Sequence, residues 1–262
     1  MRIPNWVIYG FYTALIVSTF FYVRSVEFDS IASQNKVYAQ LDSNTIQKVS
    51  IGTSSKPLYI ASWQPFIDSG EWGYVSNTSL LKPGFTPKNL VKVPVTHSEP
   101  TNMRINTVIS QPLKNLFNKA ETEGYNLIVA SAYRSIEDQQ TLVDEFVAAR
   151  GEAAAREFVA TPRGSEHHTG LAVDIDDNSP QCKIDSFTCS LSPDSAAWLA
   201  SNAPEFGFII RYPEGKKSIT GIAAEQWHFR YVGVPLAQKL TESGLTFDEF
   251  ISQVAPGRID SK

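Results

Sequence analysis

Apolar residues recur at helical spacing after residue 102. Five of them fall at i, i+4, i+7, i+8 and i+11: Ile109, Leu113, Leu116, Phe117 and Ala120. This spacing predicts an amphipathic helix with one buried face, and Gly124 is a suitable residue to end it. Pro112 interrupts the pattern and is a candidate for the true start of the helix.

The rest of this region alternates short apolar runs with capped helical segments. The predicted strands are residues 126–132, 171–175, 208–212 and 228–232. The predicted helices run from the N-cap Ser135 to Ala149, over 152–160, from Pro193 to Asn202 after the cap Ser192, over 235–243 and over 247–254. Because the strands are short and irregularly interleaved, we predict an α+β fold with a small sheet rather than a doubly wound one.

The chain opens with an uncharged apolar run at residues 6–23, preceded by Arg2. Its 18 residues are about the minimum that spans a hydrocarbon core, and aromatic residues stand at both of its ends. We interpret it as an uncleaved signal anchor with the N-terminus inside the cell. A cleaved signal peptide, with Ala32 or Ala39 near the cleavage site, and a buried soluble helix are the alternatives.

This interpretation divides the chain into four segments. Residues 1–24 form a cytoplasmic tip and a transmembrane helix, and the polar, aperiodic residues 25–50 form a tether. Residues 51–100 contain Gly, Pro and aromatic residues without helical period, which predicts strands and loops packed on the main domain, residues 101–262. Everything after about residue 25 is then expected outside the cytoplasm, in the periplasm or on the cell-wall side.

The composition excludes several classes of protein. The 262 residues include 23 Lys+Arg and 27 Asp+Glu, so the formal net charge is −4. Because there is no block of Lys or Arg, we expect no nucleic-acid partner. The only two cysteines, Cys182 and Cys189, are too few for a disulfide framework or an all-thiolate zinc module.

Three of the four histidines lie in two segments that are dense in reactive residue types. A catalytic zinc needs three nitrogen or oxygen ligands and one open position, and His167, Asp174 and His228 supply such a set. Glu225, three residues before His228, is the candidate general base. Each residue also has a simpler interpretation, since a histidine pair can lie on a loop surface and Asp174 can be a solvated strand end.

The joint pattern is more specific than its parts. Ser165-x-His167-x-x-Gly170-x-Ala172-x-Asp174, followed by Glu225-x-Trp227-His228, resembles the VanY-type zinc D-alanyl-D-alanine carboxypeptidases and the related peptidoglycan L,D-carboxypeptidases. Residues 131–135 with Gln139 are similar to the upstream motif of that family, and residues 207–213 and 230–233 to its later strands. The resemblance covers roughly residues 85–250. It departs at Gln226, where many relatives have Pro, and this position is not a proposed ligand.

The resemblance implies a Hedgehog/D-Ala-D-Ala-peptidase-like fold with a small, mostly antiparallel sheet flanked by helices. It also implies one zinc ion per chain, bound by His167, Asp174 and His228, with Glu225 as the base that activates the zinc-bound water. Arg134 would stabilise the carbonyl oxyanion or hold the substrate. The remaining substrate-binding residues implied or proposed are Gln139, Ser165, Tyr133 and Trp227.

The activity implied for residues 101–262 is removal of the C-terminal D-alanine from peptidoglycan stem peptides, at a D-Ala-D-Ala or an L,D bond. A membrane anchor is consistent with a substrate that lies beside the membrane. One alternative is an endopeptidase that cuts peptide cross-links. The other is a non-catalytic wall-binding module, which would be expected to lose Glu225 or a metal ligand, and the sequence retains all of them.

Export predicts that Cys182 and Cys189 form a disulfide bond. Closing so small a loop stabilises the fold by about 2–3 kcal/mol in the chain-entropy model. The intact mass of the protein under non-reducing conditions measures the bond. Two alkylatable thiols in freshly exported protein would contradict the bond.

Overall fold

The computed structural model describes residues 46–49, 58–61, 73–98, 102–177 and 191–254. The chain divides into two compact units, residues 1–47 and 48–262, and every side-chain contact given below lies within the second. The predicted transmembrane helix and the Cys182–Cys189 pair lie outside the described residues and stay predictions. No helix in the described ranges is long and apolar enough to cross a membrane.

The strands form three small sheets. Strands β1 (Ile46–Val49) and β2 (Leu58–Ala61) form one pair, and β3 (Leu90–Lys92) and β4 (Arg104–Asn106) form an antiparallel pair. The main sheet contains β5 (Ile128–Ser131), β6 (Ala172–Asp176), β7 (Phe208–Tyr212) and β8 (Glu225–Tyr231), in the order β5-β6-β8-β7. All its neighbours are antiparallel, which confirms the predicted α+β class with a small antiparallel sheet.

Seven α-helices surround this sheet in the described part of the chain. They are α1 (Thr107–Thr122), α2 (Ile136–Arg150), α3 (Glu152–Phe158), α4 (Pro193–Asn202), α5 (Lys217–Thr220), α6 (Val234–Ser243) and α7 (Phe247–Val254). The buried residues of α1 are the five that the spacing predicted. The sequence suggested that Pro112 marks the start of this helix, and that prediction is wrong. The helix begins five residues earlier, at Thr107, and Pro112 lies inside it.

One hydrophobic cluster covers one face of the main sheet, and a smaller one lies at the β7 edge of the other face. The larger one joins α1 and α4 to Val173, Ile175 and Phe229. The smaller one joins α6 and α7 to Ile209 at the β7 edge. Since neighbouring residues of a strand point to opposite faces, Phe208 belongs to the larger cluster and Ile209 to the smaller.

A single turn of 3₁₀ helix, Glu166–Thr169, leads into β6. The sequence analysis did not predict it. The turn begins at the cap Ser165 and ends at Gly170, whose φ of +68° lies in the left-handed region. A Cβ at Gly170 would lie 2.9 Å from the backbone nitrogen of Asn106, so both the conformation and the space require glycine here.

Candidate active site

Three side chains form a row across β5, β6 and β8. Ser131 pairs with Asp174, and Asp174 pairs with His228. Asp174 lies between Val173 and Ile175, which are both fully buried in the larger cluster. Because side chains alternate along a strand, Asp174 points to the opposite face, and that face carries the polar groups of the site.

His167 reaches the same face from the 3₁₀ turn. The hydroxyl oxygen of Ser165 accepts a hydrogen bond from the His167 backbone N–H. Nδ1 of His167 donates to the carbonyl of Ala132 at 2.6 Å, because a carbonyl can only accept. Its Nε2 is therefore unprotonated when the ring is neutral and faces Oδ2 of Asp174 at 3.2 Å.

His228 faces the carboxylate of Asp174 with Nδ1, whereas His167 faces it with Nε2. Nδ1 of His228 lies 3.1 Å from Oδ1 of Asp174. The two histidine rings are perpendicular, with their centroids 4.9 Å apart. Burial lowers the pKa of His228, but the carboxylates of Asp174 and Glu166 outweigh that effect and raise it to about 9. A metal at Nδ1 would displace the proton that these carboxylates favour.

His167, Asp174 and His228 fit a divalent metal ion. One ligand atom from each lies within 4.8 Å of the other two. Nε2 of His167 lies 3.2 Å from Oδ2 of Asp174, and Nδ1 of His228 lies 3.1 Å from Oδ1, so each imidazole faces one oxygen of the same carboxylate. Oδ1 of Asp174 is buried, and no hydrogen bond of regular geometry reaches it from the described residues, although Nδ1 of His228 lies 3.1 Å away. A cation between these two atoms would satisfy both.

Glu225 reaches this face because β8 is irregular. In the β7–β8 ladder Ile210 pairs with Phe229, and the next pair is Tyr212 with Glu225. The two pairs are two residues apart in β7 but four residues apart in β8, so β8 bulges between them. In a regular strand Glu225 and His228, three residues apart, would point to opposite faces. The bulge redirects the chain, and Oε2 of Glu225 lies 3.7 Å from Nδ1 of His228.

The surroundings of Glu225 suit a proton acceptor. Burial raises its pKa to about 8, while the charge of His228 opposes this rise and that of Asp174 adds to it. A carboxylate with a raised pKa is a stronger base than an ordinary one. A bound cation nearby would lower this pKa again.

Arg134 is fixed just after β5 by two neighbours. Its Nη1 donates to Oε1 of Gln139 and its Nη2 donates to the hydroxyl of Ser131, both at 2.8 Å. Gln139 is itself held, since its Nε2 donates to the carbonyl of Ala160 at 2.7 Å. A guanidinium held in this way remains charged, and its planar fork suits a carboxylate or an oxyanion.

A cavity of about 240 Å³ opens over these groups. Eight of the residues predicted to act in the site line it: Arg134, Gln139, Ser165, His167, Asp174, Glu225, Trp227 and His228. Much of the remaining lining is apolar and comes from Leu142, Phe146, Phe158, Val159 and Ile222. The cavity therefore combines a charged region with a region suited to small aliphatic groups.

Tyr133 is the one predicted substrate-binding residue that does not line this cavity. The guanidinium carbon of Arg104 lies 5.6 Å from the centre of its ring. The predicted role of Tyr133 in substrate binding stays a prediction. Tyr212 does line the cavity, with its ring centroid 5.0 Å from that of His228.

The sequence analysis missed a buried charged network behind His228. Glu166, Arg211 and Arg230 are fully buried, and Asp248 nearly so. The sequence does place Arg211 and Arg230 directly beside apolar and aromatic residues of β7 and β8. An arginine buried in such a strand requires an acidic partner, and this could have indicated the network. The sequence pattern does not show which acid this is.

Comparison with known proteins assigns the family. The family model described as VanY, D-alanyl-D-alanine carboxypeptidase, matches residues 102–234. This segment contains the candidate metal ligands, Glu225 and Arg134. The chain belongs to the VanY family.

Two curated proteins similar to this VanY-family chain cover about half of it. The YodJ protein of Bacillus subtilis (strain 168) is 41% identical over 142 residues, 54% of this chain and 51% of that protein. The D-alanyl-D-alanine carboxypeptidase of Enterococcus faecalis (strain ATCC 700802 / V583) is 40% identical over 158 residues, 57% of this chain and 56% of that protein. The chain thus spans about half the length of these relatives.

Solved structures with the same fold cover more of the chain. The LdcB LD-carboxypeptidase has a TM-score of 0.63 and 35% identity, covering 71% of this chain and 88% of that one. The D,D-pentapeptidase VanY of the VanB-type resistance cassette, solved as a mutant with Zn(II), has a TM-score of 0.58 and 36% identity. It covers 68% of this chain and 96% of its own.

In this VanY-family chain, His167→Ala, Asp174→Ala and His228→Ala are each expected to abolish metal binding, since each removes one of the three candidate ligands. His168→Ala is expected to keep most of it. Nδ1 of His168 donates to the carbonyl of Arg134, and its Nε2 accepts from the Arg163 backbone N–H. Elemental analysis of the purified, folded variants measures the metal content.

The His168 variant is the matched control for the adjacent His167. Its lost backbone hydrogen bonds should lower the melting temperature without emptying the site. A metal-free His168→Ala beside a metal-bound His167→Ala would show that the predicted ligand register is off by one residue.

Proposed function

We propose that this chain is a zinc-dependent carboxypeptidase that removes the C-terminal D-alanine from peptidoglycan stem peptides and holds one zinc ion. The observation that supports this proposal is that the candidate metal ligands share one cavity with Glu225 and Arg134. One relative named VanY was solved with Zn(II), and VanYB with D-Alanine-D-Alanine. Another relative is an LD-carboxypeptidase studied for its recognition of peptidoglycan.

The chemistry divides between the metal and two side chains. A bound zinc polarises the carbonyl and lowers the pKa of water from about 15.7 to about 7. Glu225 takes a proton from the attacking water and delivers it to the leaving amine. Arg134, fixed by Gln139 and Ser131, holds the terminal carboxylate of the substrate or the negative charge that develops on the carbonyl oxygen.

We also propose that the catalytic domain lies outside the cytoplasm, anchored by residues 6–23. The support is the uncharged apolar run with aromatic residues at its ends. After cell fractionation, the full chain should sediment with membranes, and a variant without residues 1–24 should not. Equal partition of the two forms into the soluble fraction would contradict the anchor.

The proposed substrate predicts the reaction products. Stems ending in D-Ala-D-Ala and stems ending in an L-residue followed by D-Ala are incubated with the purified protein and the products are weighed. Loss of one alanine supports the proposal and identifies the preferred bond. Cleavage confined to cross-linked dimers would show an endopeptidase, and retained stem binding without any product would show a wall-binding module.

Glu225→Gln separates metal binding from chemistry. Glutamine is nearly isosteric but takes no proton, so we expect a folded variant that keeps its zinc and loses about 10²–10⁴ in turnover. That loss equals roughly 3–5 kcal/mol of barrier. Zinc content, melting temperature and turnover are measured on one preparation. A variant that keeps more than about a tenth of the wild-type turnover would remove Glu225 from the mechanism.

A further inference from the structure

A fully buried carboxylate lies behind the metal cluster, on the far side of His228. Oε2 of Glu166 is 3.4 Å from Nε2 of His228, whereas Nδ1 of the same ring faces Asp174. A neutral imidazole carries one proton, so a ring that offers Nδ1 to a metal must carry its proton on Nε2. Glu166 is placed to accept that proton in a hydrogen bond.

The other oxygen of Glu166 is already engaged. Oε1 accepts hydrogen bonds from Nε of Arg211 at 2.8 Å and from Nη1 of Arg230 at 2.9 Å. The carboxylate and both guanidiniums are fully buried, so two positive charges face this oxygen away from solvent. The carboxylate is therefore held ionised and in one orientation, with Oε2 directed towards His228.

The two arginines are held in turn by groups from both ends of the described domain. Nη2 of Arg211 donates to Oδ1 of Asp248 at 3.1 Å, and its Nη1 donates to the other oxygen of that carboxylate. The hydroxyl of Tyr74 donates to Asp248 at 2.6 Å. Nη2 of Arg230 donates to the carbonyl of Gly73 at 3.0 Å. Two cations and two anions balance one another, as burial requires.

The two candidate histidine ligands are restrained differently. A neutral backbone carbonyl, that of Ala132, accepts the proton of His167. His228 faces a full negative charge instead, and a carboxylate partner both orients an imidazole and strengthens it as a metal ligand. Because of this difference, we expect Glu166 to orient His228 and not His167.

We propose that Glu166 is a positioning residue of the metal centre, which accepts the Nε2 proton of His228 and so presents Nδ1 to the metal. Arg211 and Arg230 hold it in this position, and Asp248 balances the charge of Arg211. The inference rests on the proposed zinc site and adds to it an outer partner that sets its affinity. Loss of such partners typically weakens metal binding 10–100-fold.

The test compares Glu166→Gln with Asp248→Asn. Both substitutions remove one negative charge from the same buried network, but Asp248 is one link further from His228. The zinc dissociation constant is measured by chelator competition well below the melting temperature of each protein, together with the absorption spectrum of the cobalt(II) form. Glu166→Gln should weaken zinc binding by about 10–100-fold and shift the cobalt spectrum. Asp248→Asn should lower the melting temperature and leave both readouts near wild type.

Three outcomes would overturn the inference. Glu166→Gln could bind zinc as tightly as wild type with an unchanged cobalt spectrum, or the two variants could weaken binding equally, which would show a general loss of stability. The third outcome is that the wild-type protein binds no zinc. This result would overturn the proposed function as well, whereas the first two outcomes would overturn only the role of Glu166.

The zinc-loaded wild-type protein gives the same answer if Glu166→Gln does not fold. Nitrogen-15 NMR of its histidine rings should show the His228 proton on Nε2, in slow exchange with solvent. A His228 proton on Nδ1 would overturn the inference, whatever the variants do.

Discussion

The antiparallel register of β6 and β8 is the constraint on which the candidate site depends. It sets Asp174 opposite His228. Since side chains alternate with a period of two, a slip of one residue would turn one of them into the apolar core. The neighbouring pair, Val173 and Phe229, is fully buried in that core, so the slip would also expose apolar surface to the polar face. The hydrophobic packing of the two central strands thus positions two of the three candidate metal ligands.

Regular pairing alone would not complete the site, and departures from it supply the rest. In β5 one extra residue between Val129 and Ser131 sets Ser131 opposite Asp174, where its hydroxyl anchors Arg134. In β8 the bulge before Phe229 turns Glu225 towards the metal ligands. Bulges redirect single side chains without changing the rest of a ladder. The irregularity in β5 therefore places Arg134, and the irregularity in β8 places Glu225. The β6–β8 pairing between them is regular.

The sequence predicted what depends on neighbouring residues. Local spacing and capping predicted the buried face of α1, the cap Ser135 and strand β7. The candidate ligand set followed from residue types and a family resemblance. Strand β8 begins three residues before the predicted start because its bulge depends on pairing with β7. The burial of Glu166 depends on arginines 45 and 64 residues further along the chain, which no local pattern reveals.

The buried charges also explain why the structural domain is larger than the segment that matches the family. Residues 102–234 contain Glu166, Arg211 and Arg230, a set with two positive charges and one negative charge. Asp248 in α7 supplies the second negative charge, and Tyr74 donates a hydrogen bond to it. Removing one partner of a buried ion pair destabilises a fold by about 3–5 kcal/mol, so the loss of Asp248 would destabilise this domain at Arg211. The chain that balances these buried charges therefore extends from Gly73 to α7.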